Sequence, residues 1–230
     1  MTANIHASVS EESGKLPSLF VIGDSISIQY GPYLETFLKG KFHYDRKRDH
    51  GGANSLINLD NPEGANGGDS KMVYDYLATR RVAGDPIRED VLLLNCGLHD
   101  IKWNTEAGKQ QKSPEEYVMY LEKIVEETRL LGVEVLWVRS TPVVDAVHNE
   151  INKVFKRYNA DLVSYNRIAD EIMKRAGIES IDLYSFTEKM LPQGLVDHVH
   201  YNEETRRLQA AFIAGAVEVW WANGKGTSKH

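Results

Sequence analysis

Short apolar runs alternate along this chain with longer segments whose apolar residues recur at helical spacing. Leu19–Ile22, Val91–Leu94 and Val133–Val138 are such runs, each met by a Gly or polar turn, and they read as buried strands. His43–Asp45 and Ser180–Leu183 are weaker strand candidates. Helical periods fall around Gly31–Leu38, from Pro114 to Gly132, from Asn152 to Ala176 and from Asn202 to Trp220. Ser113-Pro114-Glu115-Glu116 opens the second of these, with Ser113 as N-cap, Pro114 in the first helical position and Glu116 placed to reach back. Gly177 stops the third, and Asn202 caps the last ahead of two glutamates at its positive end. Strand and helix alternate, which predicts right-handed crossovers and a parallel sheet covered on both faces. In such folds a site forms beyond the carboxyl ends of the strands, so chemistry is expected in the turns that follow them.

The 230 residues are 42% hydrophobic, enough to bury the core of one domain spanning residues 1–230, and no repeat or low-complexity segment divides them. Residues 1–15 and 223–230 lack apolar periodicity and are expected to be tails. Lys and Arg number 27 against 33 Asp and Glu, interleaved, for a net charge of −6, which argues against a nucleic-acid partner. No apolar stretch reaches membrane-spanning length, and the polar N-terminus carries neither a basic start nor an apolar h-region. A cytoplasmic location is expected, unless a leader has been removed. Cys96, the lone cysteine, lies within an apolar run and reads as a buried thiol with no disulfide partner in the chain.

Four polar segments sit where the site is expected. Gly23-Asp24-Ser25 follows the first strand; alone it is a common turn tripeptide, and Asp24 fits a turn as well as it fits a substrate contact. Serine needs a base to become a nucleophile, and Asp197-His198-Val199-His200, just before the last helix, offers one. A carboxylate three residues ahead of an imidazole can fold back onto Nδ1 and leave Nε2 outward, which singles out Asp197 and His200; His198 reads as a surface or supporting residue. Gly97-Leu98-His99-Asp100 ends the strand Val91–Cys96, with His99 a candidate donor to an oxyanion and Asp100 a structural cap. His50-Gly51-Gly52-Ala53-Asn54-Ser55 lets backbone amides approach an oxyanion unobstructed.

These four blocks, in this order from Val21 to about Leu208, resemble those of the SGNH (GDSL-like) hydrolases. The resemblance implies a flavodoxin-like three-layer α/β/α sandwich around a mostly parallel five-stranded sheet. It implies a serine esterase with a Ser25, Asp197 and His200 triad, and oxyanion donors from the Ser25 amide, Gly52 and the block III side chain. That side chain is usually asparagine in the family; here it is His99, and Gly-Leu-His-Asp looks like a subgroup variant whose donor would have a pH-dependent charge. Asp24, Tyr30, Asn54 and Trp103 are the expected substrate contacts. Short acyl esters, acetyl on carbohydrate first, are the expected substrates, with no metal or cofactor and no membrane partner.

Two other readings fit some of the same residues. Gly23-Asp24, Gly97–Asp100 and Asp197–His200 faintly echo two-metal phosphoesterase blocks, although no Asp-x-His pair precedes Gly23 and the asparagine ligand is missing. A silent carbohydrate-binding domain would instead use Tyr30, Trp103 and Tyr201 as stacking faces.

Overall fold

A computed structural model describes residues 15–48, 59 and 64–224. Its centre is a five-stranded sheet of β1 (Ser18–Ile22), β2 (His43–Arg46), β3 (Val91–Leu94), β6 (Glu134–Val138) and β7 (Glu179–Ile181), in the order β2-β1-β3-β6-β7 with every pairing parallel. β1 and β3 are buried throughout apart from the first residue of β1, as the continuous apolar runs require of strands covered on both faces. α1 (Ser25–Leu38) packs with α7 (Glu203–Ala222), while α2 (Ser70–Val82), α3 (Pro114–Leu131) and α5 (Asn159–Ala176) pack in sequence with one another. The predicted α/β architecture is therefore present, with the chain reversing its direction of travel across the sheet between β1 and β3.

Local signals hold where side chains decide them. Ser113 and Glu116 form the capping box of α3, Gly132 and Gly177 end α3 and α5 in the left-handed conformation, and Asn202 caps α7 by accepting from the Thr205 amide.

Three expectations are corrected. The helix expected from Asn152 to Ala176 starts only at Asn159, as α5, and the unforeseen α4 (Asp145–Ile151) ends just before Asn152. Asn152 breaks the pattern because its Oδ1 accepts from the Val154 and Phe155 amides, an Asx turn that competes with helix. β7 ends at Ile181, since Asp182 turns to cap α6 (Leu183–Glu188) by accepting from the Ser185 amide. α1 begins at Ser25, six residues before its apolar period is clear. Also unforeseen are α2, whose buried side is only Ser70, Val73 and Leu77, and a two-residue hairpin of β4 (Trp103–Asn104) and β5 (Lys109–Gln110). Among the described residues no helix is long and apolar enough to cross a membrane.

Candidate active site

The turn from β1 into α1 places Ser25. A Cβ on Gly23 would stand 2.9 Å from both Cβ and Oγ of Ser27, so only glycine lets the chain turn this tightly. Asp24 then caps α1, its Oδ1 accepting from the Ile26 amide at 2.9 Å. Ser25 becomes the first residue of the helix, at its positive end, which favours negative charge developing there.

His200 arrives from the far end of the sequence. Its Nε2 lies 3.0 Å from Ser25 Oγ across a separation of 175 residues, and its Nδ1 lies 2.7 Å from Asp197 Oδ2. Asp197 is fixed in turn, because its Oδ1 accepts from the amides of Val199 and His200, both at 2.8 Å. Burial raises the Asp197 pKa, but those two amides and the imidazole outweigh it and hold the carboxyl below its usual range. An ionised acceptor keeps the His200 proton on Nδ1 and leaves the Nε2 lone pair toward the serine.

A third strand end brings in His99. Gly97 has φ 145°, a conformation open to glycine, and a Cβ there would meet Ser140 Oγ at 2.8 Å. Arg157, buried, donates from Nε to the Leu98 carbonyl at 2.7 Å and so holds the same loop. His99 Nδ1 lies 3.1 Å from Lys102 Nζ. An ammonium can only donate, so Nδ1 accepts and the ring proton sits on Nε2. Burial, then the neighbouring charges of Lys102, Arg157 and His200, push the His99 pKa well below its ordinary value. The imidazole thus favours its neutral form, an N–H donor, and its protonation is displaced to lower pH than an ordinary histidine's. Asp100 is wholly buried and accepts from the amide and hydroxyl of Ser70 at the start of α2; burial pushes its pKa up to about 7.

Not every expected contact reaches this place. Tyr30 is 2% exposed within the core, and Asp24, 1% exposed, is engaged as the cap, so neither presents a side chain to a substrate. Trp103, half-buried, donates its indole N–H to Asp161 at 2.7 Å, while Tyr201 is wholly buried with its hydroxyl on the Pro142 carbonyl, so neither Tyr30 nor Tyr201 offers the stacking face a sugar-binding domain needs. Gly52 and Asn54 lie outside the described residues. His198 pairs through Nδ1 with Nδ1 of buried His148 in α4 at 3.0 Å, supporting the loop between Asp197 and His200. Among the described residues no three His, Cys, Asp or Glu side chains converge as a metal site; of the carboxylates the two-metal reading needs, Asp24 and Asp100 are turned to helix starts and Asp197 to His200.

Lys102, Arg157, His148 and Asn66 went unread in the sequence. For Asn66 a signal exists: the triplet Gly-Ala-Asn occurs twice, at 52–54 and at 64–66.

A family model described as GDSL-like lipase/acylhydrolase matches residues 19–213. The chain belongs to the GDSL-like lipase/acylhydrolase family. With that family it is assigned to the carboxylic ester hydrolases. None of the curated proteins compared with the chain matches it significantly. Among solved structures, the lipase/acylhydrolase from Enterococcus faecalis superimposes with a TM-score of 0.65 at 13% identity, covering 89% of this chain and 97% of that one. A carbohydrate acetylesterase from Sinorhizobium meliloti gives 0.61 at 16% identity, covering 89% and 99%. A GDSL-like lipase from Bacteroides thetaiotaomicron gives 0.61 at 15% identity, covering 88% of each chain. At these identities the likeness is one of fold. The family's site residues are judged on the geometry of this chain.

Proposed function

We propose that this member of the family is a serine esterase that removes short acyl groups, acetyl on carbohydrate first, through an acyl-enzyme. The observation that carries the reading is the 3.0 Å approach of His200 Nε2 to Ser25 Oγ. His200 takes the serine proton as Oγ bonds to the ester carbonyl carbon, and it returns that proton to the leaving alcohol. Water then attacks the acyl-serine with His200 again as base. Asp197 holds the imidazole in the tautomer that can accept, and it stabilises the imidazolium. The oxyanion is met by the Ser25 amide at the start of α1 and by the Nε2–H of His99. Gly52 is the proposed third donor.

Two features favour a small acyl group. Ser25, His99 and His200 are 8%, 6% and 6% exposed, so the reacting atoms sit in a confined place. A carbohydrate acetylesterase is also among the structures this fold resembles. The test is Ser25→Ala together with a series of p-nitrophenyl esters of increasing acyl length and acetylated sugars. S25A is expected to fold and to lose all ester hydrolysis, and the wild type to prefer acetyl. Undiminished turnover by folded S25A overturns the serine mechanism, and a preference for long chains overturns the substrate class.

A further inference from the structure

The family pattern carries a carboxamide in block III, this chain carries an imidazole there, and a carboxamide stands against that imidazole from a different segment. Asn66 lies beside the turn that delivers the nucleophile: it forms a parallel bridge with Gly23, and the Gly67 amide donates to the Gly23 carbonyl at 2.8 Å. The orientation of its side chain is fixed. Oδ1 accepts from the Gly68 amide at 2.8 Å, which identifies the oxygen, and Nδ2 donates one hydrogen to the Leu59 carbonyl at 2.6 Å. The second hydrogen of Nδ2 remains, on a residue that is 0% exposed.

Nδ2 of Asn66 lies 3.5 Å from Nε2 of His99. That contact is no ordinary hydrogen bond, because Lys102 on the far side of the ring puts the His99 proton on Nε2. Both nitrogens are donors and neither can accept from the other. Two buried donors side by side are costly unless an acceptor meets both. An oxygen about 2.9 Å from each satisfies the pair, since nitrogens 3.5 Å apart are spaced for it. β1 and β3 are neighbours, with Ile22 opposite Leu94, so the turns bearing Ser25 and His99 lie side by side, and in the proposed mechanism such an oxygen forms there when Ser25 attacks a carbonyl.

We propose that Asn66 is a catalytic residue, its Nδ2–H converging with the Nε2–H of His99 on the oxyanion of the tetrahedral intermediate. The carboxamide that block III exchanged for histidine is supplied from the segment before α2. This inference rests on the serine esterase reading, and its test separates the two.

The probe is an alkyl fluorophosphonate: the Ser25 oxygen bonds to phosphorus, fluoride leaves, His200 takes the serine proton, and the phosphoryl oxygen occupies the oxyanion position. Rates of phosphonylation are measured for the wild type, Ser25→Ala, Asn66→Ser, Asn66→Ala, His99→Ala and the His99→Ala, Asn66→Ser pair. Serine can still accept from the Gly68 amide as an ST turn, but it cannot reach as far as Nδ2. Wild type is expected to label and S25A not to; N66S should label about 10²-fold more slowly at an unchanged Tm, the loss typical of one oxyanion donor. In the His99→Ala background, N66S should slow labelling again by about tenfold or more, which a residue that only positions His99 would not do. N66S and N66A within twofold of wild type, or no further loss in that background, overturns the role of Asn66 while the esterase reading stands. A folded wild type that does not label sinks the esterase reading and this inference with it. Should the Asn66 variants unfold, the side-chain amide resonance of Asn66 in the wild type decides: a downfield shift on phosphonylation supports the contact, and an unmoved resonance refutes it.

Discussion

Asp197→Asn isolates what the carboxylate does for His200. Asparagine is nearly isosteric, and its orientation is dictated by the backbone: the amides of Val199 and His200 need an oxygen at the Oδ1 position, so Nδ2 must replace Oδ2. That nitrogen then faces His200 Nδ1 at about the 2.7 Å now spanned by a hydrogen bond. The imidazole must give up its Nδ1 proton and carry one on Nε2, directed at Ser25, where a base is required. Restoring the productive tautomer sets N–H against N–H, at the cost of an unmade buried bond, about 1–3 kcal/mol. Loss of the carboxylate's attraction for the imidazolium adds less than it would in a dry site, because the Asp197 side chain is 42% exposed and water screens it; about 1–2 kcal/mol is reasonable at high effective dielectric. Together they come to about 2–5 kcal/mol, about 30- to 5,000-fold in kcat/KM. The assay is kcat/KM on p-nitrophenyl acetate against pH, with Tm to show that the loop survives. Folded D197N within tenfold of the wild type at neutral pH would refute the tautomer argument.

Asp100→Asn tests the other buried carboxylate. With a folded-state pKa raised to about 7, the native protein binds more protons than the unfolded chain above the ordinary Asp pKa of 3.8, so stability is lost as pH rises from there toward neutrality. The asparagine side chain can still accept from Ser70 without ionising, so the variant's Tm should fall less than the wild type's across that window; parallel Tm curves would show that Asp100 is not so perturbed. Gly97→Ala forces a side chain into φ 145° and within 2.8 Å of Ser140 Oγ. A loss of about 3 kcal/mol, a Tm lower by about 6–12 °C, is expected with reduced activity as His99 shifts; an unchanged Tm would mean that the β3 turn relaxes freely.

What could be read from the chain follows a physical line between local and non-local causes. β1, β3 and β6 announced themselves because a strand covered on both faces must be apolar along its length. Ser113, Gly132 and Gly177 marked helix ends because caps act through their own backbone. α2 was harder to read: Asp69 caps it locally by accepting from the Met72 amide, but only Val73 and Leu77 of its apolar residues are buried, and its first residue, Ser70, is also held by Asp100 thirty residues on. The segment Asn152–Ala176 misled because a single Asx turn outweighs an otherwise helical period.

The site divides in the same way. Asp197 and His200 meet within one turn, so their spacing was informative, and Gly23 before Ser25 betrayed a tight strand-to-helix turn. Tyr30, Trp103 and Tyr201 looked available because aromatic residues near strand ends can face either way, and only packing turns them inward or onto Asp161. Lys102 is the instructive case. Nothing about a lysine three residues after a histidine requires the two to touch, yet that contact sets the tautomer of His99. A neutral ring with its proton on Nε2 offers a donor that neither composition nor block order could supply, and it can act as a block III asparagine would without changing charge when His200 does. An imidazolium there would instead repel the imidazolium that, in the proposed mechanism, forms on His200 as Ser25 is deprotonated. Burial and the Lys102 contact therefore answer one electrostatic demand of the proposed mechanism: one histidine of the pair must take up a proton during the reaction, and the other must not.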